Sequence, residues 1–323
     1  MTTPRILLTR RWPDAAEQRL RARYDVTTND DDTPMDQAAL AQALRDYDAV
    51  CPTVSDRIDA AVIGAGGQRA SILGNFGVGT NHIDVAAATA AGLTVTNTPD
   101  VLTDATADIA LTLLLMIARR AGEGERMLRA GAWEGWAPTQ LLGRQLSGKT
   151  LGLIGFGRIA RAVAARAHHG FGMRIVYTAP RRQPADYEAE VDARFVETVE
   201  GMLPTVDFLS LHCPGGAATH HLLNAERLAL LPRHACIVNT ARGTVIDEAA
   251  LAAALSAGTL AGAGLDVYEE EPRVHPALLA REDVVLLPHL GSATMETRVA
   301  MGMRVADNLD AFFDGATPGD RVA

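Results

Sequence analysis

The sequence predicts an α/β fold built on two parallel β-sheets. Short apolar runs alternate with Ala-rich amphipathic stretches along the first hundred residues, and a second alternating series starts after residue 148. The chain has 323 residues, 48% of them hydrophobic and 21% charged, so its length suits two domains of about 150 residues each. This composition is globular and excludes disordered and fibrous proteins.

The first series predicts four strands, at residues 6–9, 49–51, 70–73 and 93–96. Helical patterns separate and follow these strands, at residues 13–24, 35–47, 57–64 and 83–91. Strands that alternate with helices in this way form βαβ units, in which neighbouring strands are parallel.

The second series predicts six strands, most of them followed by a helical segment, at residues 150–154, 173–177, 208–212, 235–239, 263–267 and 284–287. Between the two series, residues 104–120 form a helical segment that is apolar around its whole circumference. We expect this segment to be buried on every side, either between domains or against a second subunit. Residues 181–190 are the most polar loop, and the residues after Thr317 are expected to form a loose tail.

Charge and composition narrow the class of protein further. Thirty Lys+Arg and 39 Asp+Glu give a net charge of −9, the wrong sign for a protein that binds nucleic acid through its phosphates. The longest apolar run, residues 109–118, is too short to span a membrane, and the first residues lack the features of a signal peptide. Cys51, Cys213 and Cys236 form no C-x-x-C pair and are expected to be buried free thiols. We therefore expect a soluble cytoplasmic protein.

A glycine-rich turn follows the predicted strand at residues 150–154. Its sequence, Gly155-Phe156-Gly157-Arg158-Ile159, leads directly into a helical segment at residues 158–168. A simple tight turn could use the same glycines, but the order of strand, turn and helix is the one that a dinucleotide-binding turn requires. Gly155 permits the turn, and Gly157 lets the backbone approach a pyrophosphate on the free N–H groups of the helix start. The sequence therefore predicts a dinucleotide cofactor.

The end of the next strand bears on the choice of cofactor. An NAD-specific site has a carboxylate about 20 residues beyond the turn, and Thr178 stands at that position. Arg181 and Arg182 follow it, and guanidinium groups suit a 2′-phosphate. The alternative is that both arginines are solvated loop charges. The sequence favours NADP(H), and NAD(H) remains possible.

Three later segments carry side chains that the reduction of a keto acid needs. Arg242, Glu271 and His289 each follow a predicted strand. Singly, each has an ordinary explanation: a surface charge, a solvated acidic run or a loop histidine. Together they lie at the carboxyl ends of sheet strands, where ligands bind in open α/β folds.

These motifs resemble, in the same order, those of the D-isomer-specific 2-hydroxyacid dehydrogenase family, and within it most resemble the glyoxylate/hydroxypyruvate reductases. The matching segments, which cover nearly the whole chain, are residues 75–84, 96–99, 104–108, 155–159, 240–243, 264–272 and 288–292. Two residues depart from the family pattern. Ala160 replaces the third glycine of the turn, and Thr178 replaces the acidic residue, as in NADPH-using reductases of this group.

The resemblance implies how the two domains are arranged in the sequence. A Rossmann domain of residues 101–291 would be inserted into a flavodoxin-like substrate domain of residues 1–100 and 292–323. Both sheets would be doubly wound and parallel, and the active site would lie in the cleft between the domains.

The resemblance also implies an NAD(P)-dependent reduction of small 2-keto acids, such as glyoxylate and hydroxypyruvate, to D-2-hydroxy acids. His289 would donate a proton to the carbonyl oxygen, Glu271 would hold His289, and Arg242 would clamp the substrate carboxylate. The implied substrate site comprises Val54, Phe76, Gly77, Val78, Gly79, Arg242 and His289, with the N–H groups of residues 77–79 forming a nest for the carboxylate. The implied cofactor site comprises Thr106, Gly155, Phe156, Gly157, Arg158, Ile159, Thr178, Arg181, Arg182, Cys213, Pro214, Thr219, Thr240, Ala241, Asp266 and Gly291.

Partners and alternative functions follow from the same residues. We expect a homodimer built on residues 104–120, no nucleic-acid or membrane partner, and no metal, since the adjacent histidine pairs at 168–169 and 220–221 do not converge as ligands. Trp133 and Trp136 either pack in the core or approach the partner's substrate site, as the resemblance implies. The alternatives to the keto-acid reductase are a phosphite-oxidising or other 2-keto-acid-specific relative and a non-catalytic, dinucleotide-sensing scaffold of the corepressor kind.

Overall fold

The computed structural model describes residues 3–322 and confirms the predicted α/β fold with two parallel sheets. The chain divides into two compact units. One unit comprises the residues up to Leu102 together with those from Ala293 onwards, and the other is Thr103–Ser292. The second unit is thus inserted into the sequence of the first.

We number the strands and α-helices in chain order. The strands are β1 (Arg5–Leu8), β2 (Asp25–Thr28), β3 (Ala49–Cys51), β4 (Ile72–Gly74), β5 (Thr94–Thr96), β6 (Thr150–Ile154), β7 (Arg174–Thr178), β8 (Arg194–Phe195), β9 (Phe208–Leu211), β10 (Cys236–Asn239), β11 (Gly262–Leu265) and β12 (Val284–Leu286). The helices are α1 (Asp14–Arg21), α2 (Gln37–Asp46), α3 (Ala60–Ile63), α4 (Val85–Ala90), α5 (Thr103–Ala118), α6 (Ala121–Arg129), α7 (Arg158–Ala165), α8 (Ala185–Ala189), α9 (Val199–Met202), α10 (Ala225–Leu228), α11 (Glu248–Ser256), α12 (Pro276–Leu279) and α13 (Met295–Phe313). Within residues 3–322, no helix has the length and hydropathy needed to cross a bilayer.

The first unit is a five-stranded parallel sheet in the order β2-β1-β3-β4-β5, the strand order of flavodoxin-like folds. Side chains alternate across the sheet. Ile6 and Leu8 of β1 lie in the core that includes α1 and α13, whereas Leu7 lies in the core that includes α2, α3 and α4. Helices therefore cover both faces, as the continuous apolar strands require.

The first unit differs from the sequence prediction in two places. Strand β2 is absent from the prediction because Val26 is its single apolar residue and gives no hydrophobic run. The residues after Thr317 are not a loose tail: Arg304 donates two hydrogen bonds to the Asp320 carboxylate, at 2.6 and 2.8 Å. Arg321 also pairs with Thr96 in an isolated antiparallel bridge, so this segment is tied to the sheet edge.

The second unit is a seven-stranded parallel sheet in the order β12-β11-β10-β9-β6-β7-β8. Counted within the unit, this is the order 3-2-1-4-5-6 of dinucleotide-binding sheets with a seventh strand at one edge. The strand order reverses between β6 and β9, which pair with each other. Ligands bind at such a switch point, outside the carboxyl ends of the strands.

Helix α5 lies in the core of the second unit, where Leu113 and its apolar neighbours are buried. Within this unit one stripe of the segment is exposed, at Asp104, Asp108 and Thr112, and Ile109, Leu115 and Met116 are only partly buried. Arg166 donates hydrogen bonds to both aspartates at 2.8 Å. Burial of the remaining faces against a second subunit stays a prediction.

Three other predicted boundaries in this unit also change. Helix α5 stops at Ala118, because Arg120 adopts a left-handed conformation with φ 53° before α6 begins. The helix predicted at residues 158–168 ends at Ala165 and continues as a π-helical turn, Arg166–Gly170. The polar loop predicted at residues 181–190 contains helix α8, which is too short for a periodic pattern.

Candidate active site

The glycine-rich turn follows β6 at the switch point of the second unit. Gly155 has φ 90°, and a Cβ added to it would lie 2.8 Å from the carbonyl oxygen of His212, so only glycine fits. Its N–H donates to the carbonyl oxygen of Thr178 at 2.8 Å. The turn and the end of β7 are therefore fixed side by side, as a dinucleotide site requires.

The start of α7 is open to a ligand. Gly157 is the N-cap of this helix, no side chain caps its first N–H groups, and a Cβ added to Gly157 would meet nothing within 4 Å. Backbone N–H groups at a helix start suit a diphosphate. Arg158 and Ile159 form the first helical positions, with Ile159 packed against the core.

Phe156 contributes to the turn differently from what the sequence suggests. Its side chain is 2% exposed and stacks on the Tyr177 ring, with ring centroids 4.1 Å apart and an interplanar angle of 18°. Only its backbone can therefore meet a cofactor. The aromatic pair joins the turn to β7 from inside the core.

The two arginines beyond Thr178 are not equivalent. Arg182 donates from Nε to Glu188 Oε1 at 2.9 Å and from Nη2 to Glu188 Oε2 at 2.7 Å, so its guanidinium is paired within the protein and is not free to bind a phosphate. Arg181 is exposed, and among the described residues its guanidinium has no hydrogen-bond or ionic partner. Sequence reasoning missed Glu188 because it lies in a short helix with no recognisable pattern.

Other predicted cofactor residues surround the carboxyl ends of β9 and β10. The Thr240 hydroxyl oxygen is buried and has no hydrogen-bond partner in the described chain, so a polar atom is left for a ligand. Burial raises the pKa of the Cys213 thiol to about 11. The Thr219 hydroxyl donates to the Pro214 carbonyl oxygen at 2.7 Å and shapes that loop. Ala241 is partly buried against the same core.

A histidine and a glutamate meet beyond β11 and β12. His289 Nδ1 lies 2.8 Å from Glu271 Oε2. Because an ionised carboxylate only accepts hydrogen bonds, Nδ1 carries the proton, and Nε2 is left to exchange a proton with a ligand. Burial opposes ionisation of Glu271, but the hydrogen bond and charge of His289, the Tyr268 N–H and the charge of Arg242 together outweigh it, so the pKa of Glu271 is lowered.

Asp266 and Thr106 support the loop that carries His289. The N–H groups of Leu290 and Gly291 donate to the two carboxylate oxygens of Asp266, at 2.6 and 2.8 Å, and the Thr106 hydroxyl donates to the Gly291 carbonyl oxygen at 3.1 Å. Asp266 is 1% exposed, and burial raises its pKa. The resemblance implies that both side chains hold the cofactor, and the hydrogen bonds they make within the described residues hold this loop.

Arg242 lies in the loop that follows β10. The Asn239 side chain closes this loop: its Nδ2 donates to the Arg242 carbonyl oxygen at 2.9 Å, and its Oδ1 accepts from Ala241 N–H at 3.0 Å. Burial lowers the pKa of Arg242, while the charge of Glu271 raises it. A Cβ added to Gly243 would lie 1.8 Å from the Tyr268 carbonyl carbon, so glycine is required for the two loops to approach.

The predicted carboxylate nest lies in the first unit and is smaller than expected. Gly77 N–H donates to the Asn75 carbonyl oxygen at 3.0 Å, so only the N–H groups of Val78 and Gly79 remain for a ligand. The buried Asn75 amide donates to the carbonyl oxygens of Gly77 and Gly79, at 2.9 and 3.1 Å, and its Oδ1 lies 2.9 Å from His82 Nε2. Asn75 therefore holds the loop, a role that its place in the motif does not reveal.

The two side chains expected to set the size of the substrate pocket differ in exposure. Val54 is 43% exposed and lies beside Gly77, since a Cβ added there would be 3.6 Å from Val54 Cγ1. Phe76 is 6% exposed and packs on Trp12 at a centroid distance of 4.5 Å. Phe76 is thus a core residue of the first unit. Within that unit its side chain packs on Trp12 and does not line a pocket, contrary to the expectation.

The other histidines make ordinary contacts. His221 pairs with Glu269, and His168 Nδ1 lies 3.1 Å from the Met173 carbonyl oxygen. Within residues 3–322, no three His, Cys, Asp or Glu side chains converge to hold a metal ion.

Comparisons with known proteins place these observations in context. Residues 111–291 match the family description "D-isomer specific 2-hydroxyacid dehydrogenase, NAD binding domain". The chain is 44% identical to a glyoxylate reductase of Thermococcus onnurineus, over 98% of this chain and 94% of the relative. It is 38% identical to a glycerate dehydrogenase of Hyphomicrobium methylovorum, over 98% of each. It is also similar to the structure of an NADPH-dependent glyoxylate/hydroxypyruvate reductase from Sinorhizobium meliloti in complex with NADP and malonate, with a TM-score of 0.88, 38% identity, and coverage of 100% of this chain and 97% of that one.

Proposed function

Because the chain belongs to the D-isomer specific 2-hydroxyacid dehydrogenase family, we propose that it reduces small 2-keto acids, glyoxylate and hydroxypyruvate foremost, to D-2-hydroxy acids. The observation that carries this proposal is the 2.8 Å pair of His289 and Glu271 at the carboxyl ends of the dinucleotide-binding sheet. A scaffold that only binds dinucleotide has no use for an ionised carboxylate held against an imidazole.

The proton in this reaction comes from His289. Its Nδ1–H is held by Glu271, which fixes the orientation of the ring. Nε2 is then the atom that gives a proton to the carbonyl oxygen of the keto acid. Asp266 and Thr106 act through the backbone of the loop and keep His289 in place.

The carboxylate of the substrate is assigned to Arg242. A guanidinium provides charge-assisted hydrogen bonds to a carboxylate. Asn239 holds the loop that carries Arg242.

The residues of the second unit fit a nicotinamide dinucleotide. The open helix start at Gly157 suits the diphosphate, and the unpartnered Thr240 hydroxyl is available to a polar atom of the cofactor. When bound, the reduced cofactor supplies the hydride that reduces C2 of the keto acid. We propose NADPH over NADH, because Thr178 replaces the usual carboxylate and Arg181 is available to a 2′-phosphate.

A homodimer is also proposed, built on the helix predicted at residues 104–120 and supported by a second, exposed segment. Trp133 is 50% exposed and Trp136 83%, and Leu128 and Leu142 are exposed in the same segment. Core packing therefore does not explain Trp136, and contact with a second copy would cover it. Light scattering over a range of dilutions tests this proposal, and a monomer at all concentrations would contradict it.

The test of the proposed reaction is direct. Purified protein with glyoxylate or hydroxypyruvate should consume NADPH, which is measured as a loss of NADPH absorbance. Chiral analysis of the product formed from hydroxypyruvate should identify D-glycerate. Phosphite with an oxidised cofactor is the matched alternative substrate. Cofactor binding without turnover of any of these compounds would favour the scaffold, and turnover of phosphite alone would favour the phosphite-oxidising relative.

A further inference from the structure

Arg182 is bound by the protein itself. Its two hydrogen bonds to Glu188 occupy Nε and Nη2, one full edge of the guanidinium. Glu188 is 7% exposed, whereas the Arg182 side chain is 66% exposed. A bidentate pair with a largely buried carboxylate neutralises the charge of Arg182 and fixes its direction.

Tyr177 attaches this pair to the rest of the cofactor domain. Its hydroxyl donates to Glu188 Oε1 at 2.6 Å and accepts from Gln183 N–H at 2.9 Å. Its ring is fully buried and stacks on Phe156 of the glycine-rich turn. We call Tyr177, Arg182, Gln183 and Glu188 the Glu188 cluster. The cluster fixes the loop after β7 relative to the turn that precedes α7.

Arg181 lies between Thr178 and this cluster but is not part of it. Only its carbonyl oxygen has a contact, from Gln183 Nε2 at 3.3 Å, and its guanidinium has none among residues 3–322. The carbonyl oxygen of Thr178 bonds to Gly155 of the turn. Arg181 therefore presents an uncommitted charge beside the position where the adenosine ribose lies in such sheets.

We propose that Arg181, and not Arg182, is the guanidinium that binds the 2′-phosphate of NADP(H), because Glu188 holds Arg182 in an ion pair. This inference rests on the proposed use of NADPH. Among Arg181, Arg182 and Glu188 there are two positive charges and one buried negative charge, so the pair with Glu188 leaves only the charge of Arg181 uncompensated. An arginine whose fork already holds a carboxylate cannot offer the same edge to a phosphate.

The experiment measures nucleotide binding by calorimetry without substrate. The probes are 2′,5′-ADP and 5′-AMP, which differ only in the 2′-phosphate. Arg181→Gln should lower the affinity for 2′,5′-ADP by about 10-fold and leave the affinity for 5′-AMP unchanged, since one charge-assisted hydrogen bond is lost. The matched variant is the double change Arg182→Gln with Glu188→Gln, which keeps the net charge of the loop. It should leave both affinities within about twofold of the unmodified protein.

A third variant tests Glu188 by itself. Glu188→Gln removes the negative charge and releases Arg182, so 2′,5′-ADP should bind about threefold more tightly while 5′-AMP is unaffected. Thermal melting of each variant verifies that it is folded. If the double variant does not fold, the Glu188→Gln variant alone tests the role of the pair. An equal loss of affinity for 2′,5′-ADP in Arg181→Gln and in the double variant would overturn the division of roles between the two arginines. Weaker binding of 2′,5′-ADP by Glu188→Gln would also overturn it. An unmodified protein that binds both probes equally would instead overturn the proposed preference for NADPH.

Discussion

His289 and Glu271 meet at 2.8 Å although 18 residues separate them in the chain. They belong to loops that follow two neighbouring parallel strands, β11 and β12, whose register aligns Leu265 with Leu286. Parallel pairing brings the carboxyl ends of both strands to one edge, so the acid and its partner are joined by the sheet itself.

Replacement of the acid should remove catalysis and spare binding. His289→Gln cannot transfer a proton, so we expect kcat to fall by about 10² to 10⁴-fold in assays of NADPH consumption with glyoxylate. In Glu271→Gln the amide oxygen can still accept the hydrogen bond from His289 Nδ1–H, but it carries no charge. We therefore expect a smaller fall in kcat than in His289→Gln. His169→Gln, at an exposed histidine, is the control. An unimpaired kcat in His289→Gln would show that another group is the acid.

Arg242 should act mainly on recognition of the keto acid. Arg242→Gln removes a half-buried guanidinium from a loop that Asn239 keeps closed, so we expect KM for glyoxylate to rise by about 10-fold or more. Affinity for NADPH, measured by fluorescence titration, should stay the same. The matched control is Arg194→Gln, at an exposed strand end. A variant with unchanged KM would remove Arg242 from the substrate site.

Replacement of Gly243 and of Gly157 by alanine should have different effects on stability. Gly243→Ala forces a methyl group against the Tyr268 backbone, and we expect the free energy of unfolding to fall by about 3 kcal/mol in urea titrations. Gly157→Ala meets open space, so its stability should be preserved while affinity for NADPH falls. Equal affinity for the cofactor in Gly157→Ala and the unmodified protein would contradict the assignment of the helix start to the diphosphate.

The Glu188 cluster should contribute to stability in a defined pH range. The hydrogen bond from Arg182, and then the one from Tyr177, lower the pKa of Glu188 from 4.5 to about 2. A carboxyl group with a lowered pKa stabilises the folded state above its unfolded pKa, and this contribution is lost as the pH falls. The difference in stability between the unmodified protein and Glu188→Gln should therefore shrink between pH 4.5 and about 2. Glu197→Gln, at an exposed position, is the matched control.

The sequence predicted the sheets well because their strands are continuous apolar runs. The strand at residues 150–154 agrees with β6 in both limits, whereas β2 escaped detection because Val26 stands alone between polar residues. Short elements escaped for the same reason, and α8 with Glu188 lay hidden in a stretch of polar residues. The site residues came from motifs, and the resemblance also paired Glu271 with His289. The Arg182–Glu188 pair and the hydrogen bonds by which Asn75 holds its loop were missed, because neither has a signature in the spacing of the chain.

The protonation state and burial of the three cysteines determine how fast their thiols react with oxidants. Peroxides and alkylating agents react with thiolates, and burial raises the pKa of Cys213 to about 11 and that of Cys236 to about 12, with the pKa of Cys51 raised as well. At neutral pH these thiols therefore stay protonated. Cys51 and Cys236 are also buried, whereas Cys213 is only partly buried, so the expectation of a buried thiol is not met at Cys213. Thiol-directed reagents should react slowly with this protein, and Cys213 is the thiol that they reach first.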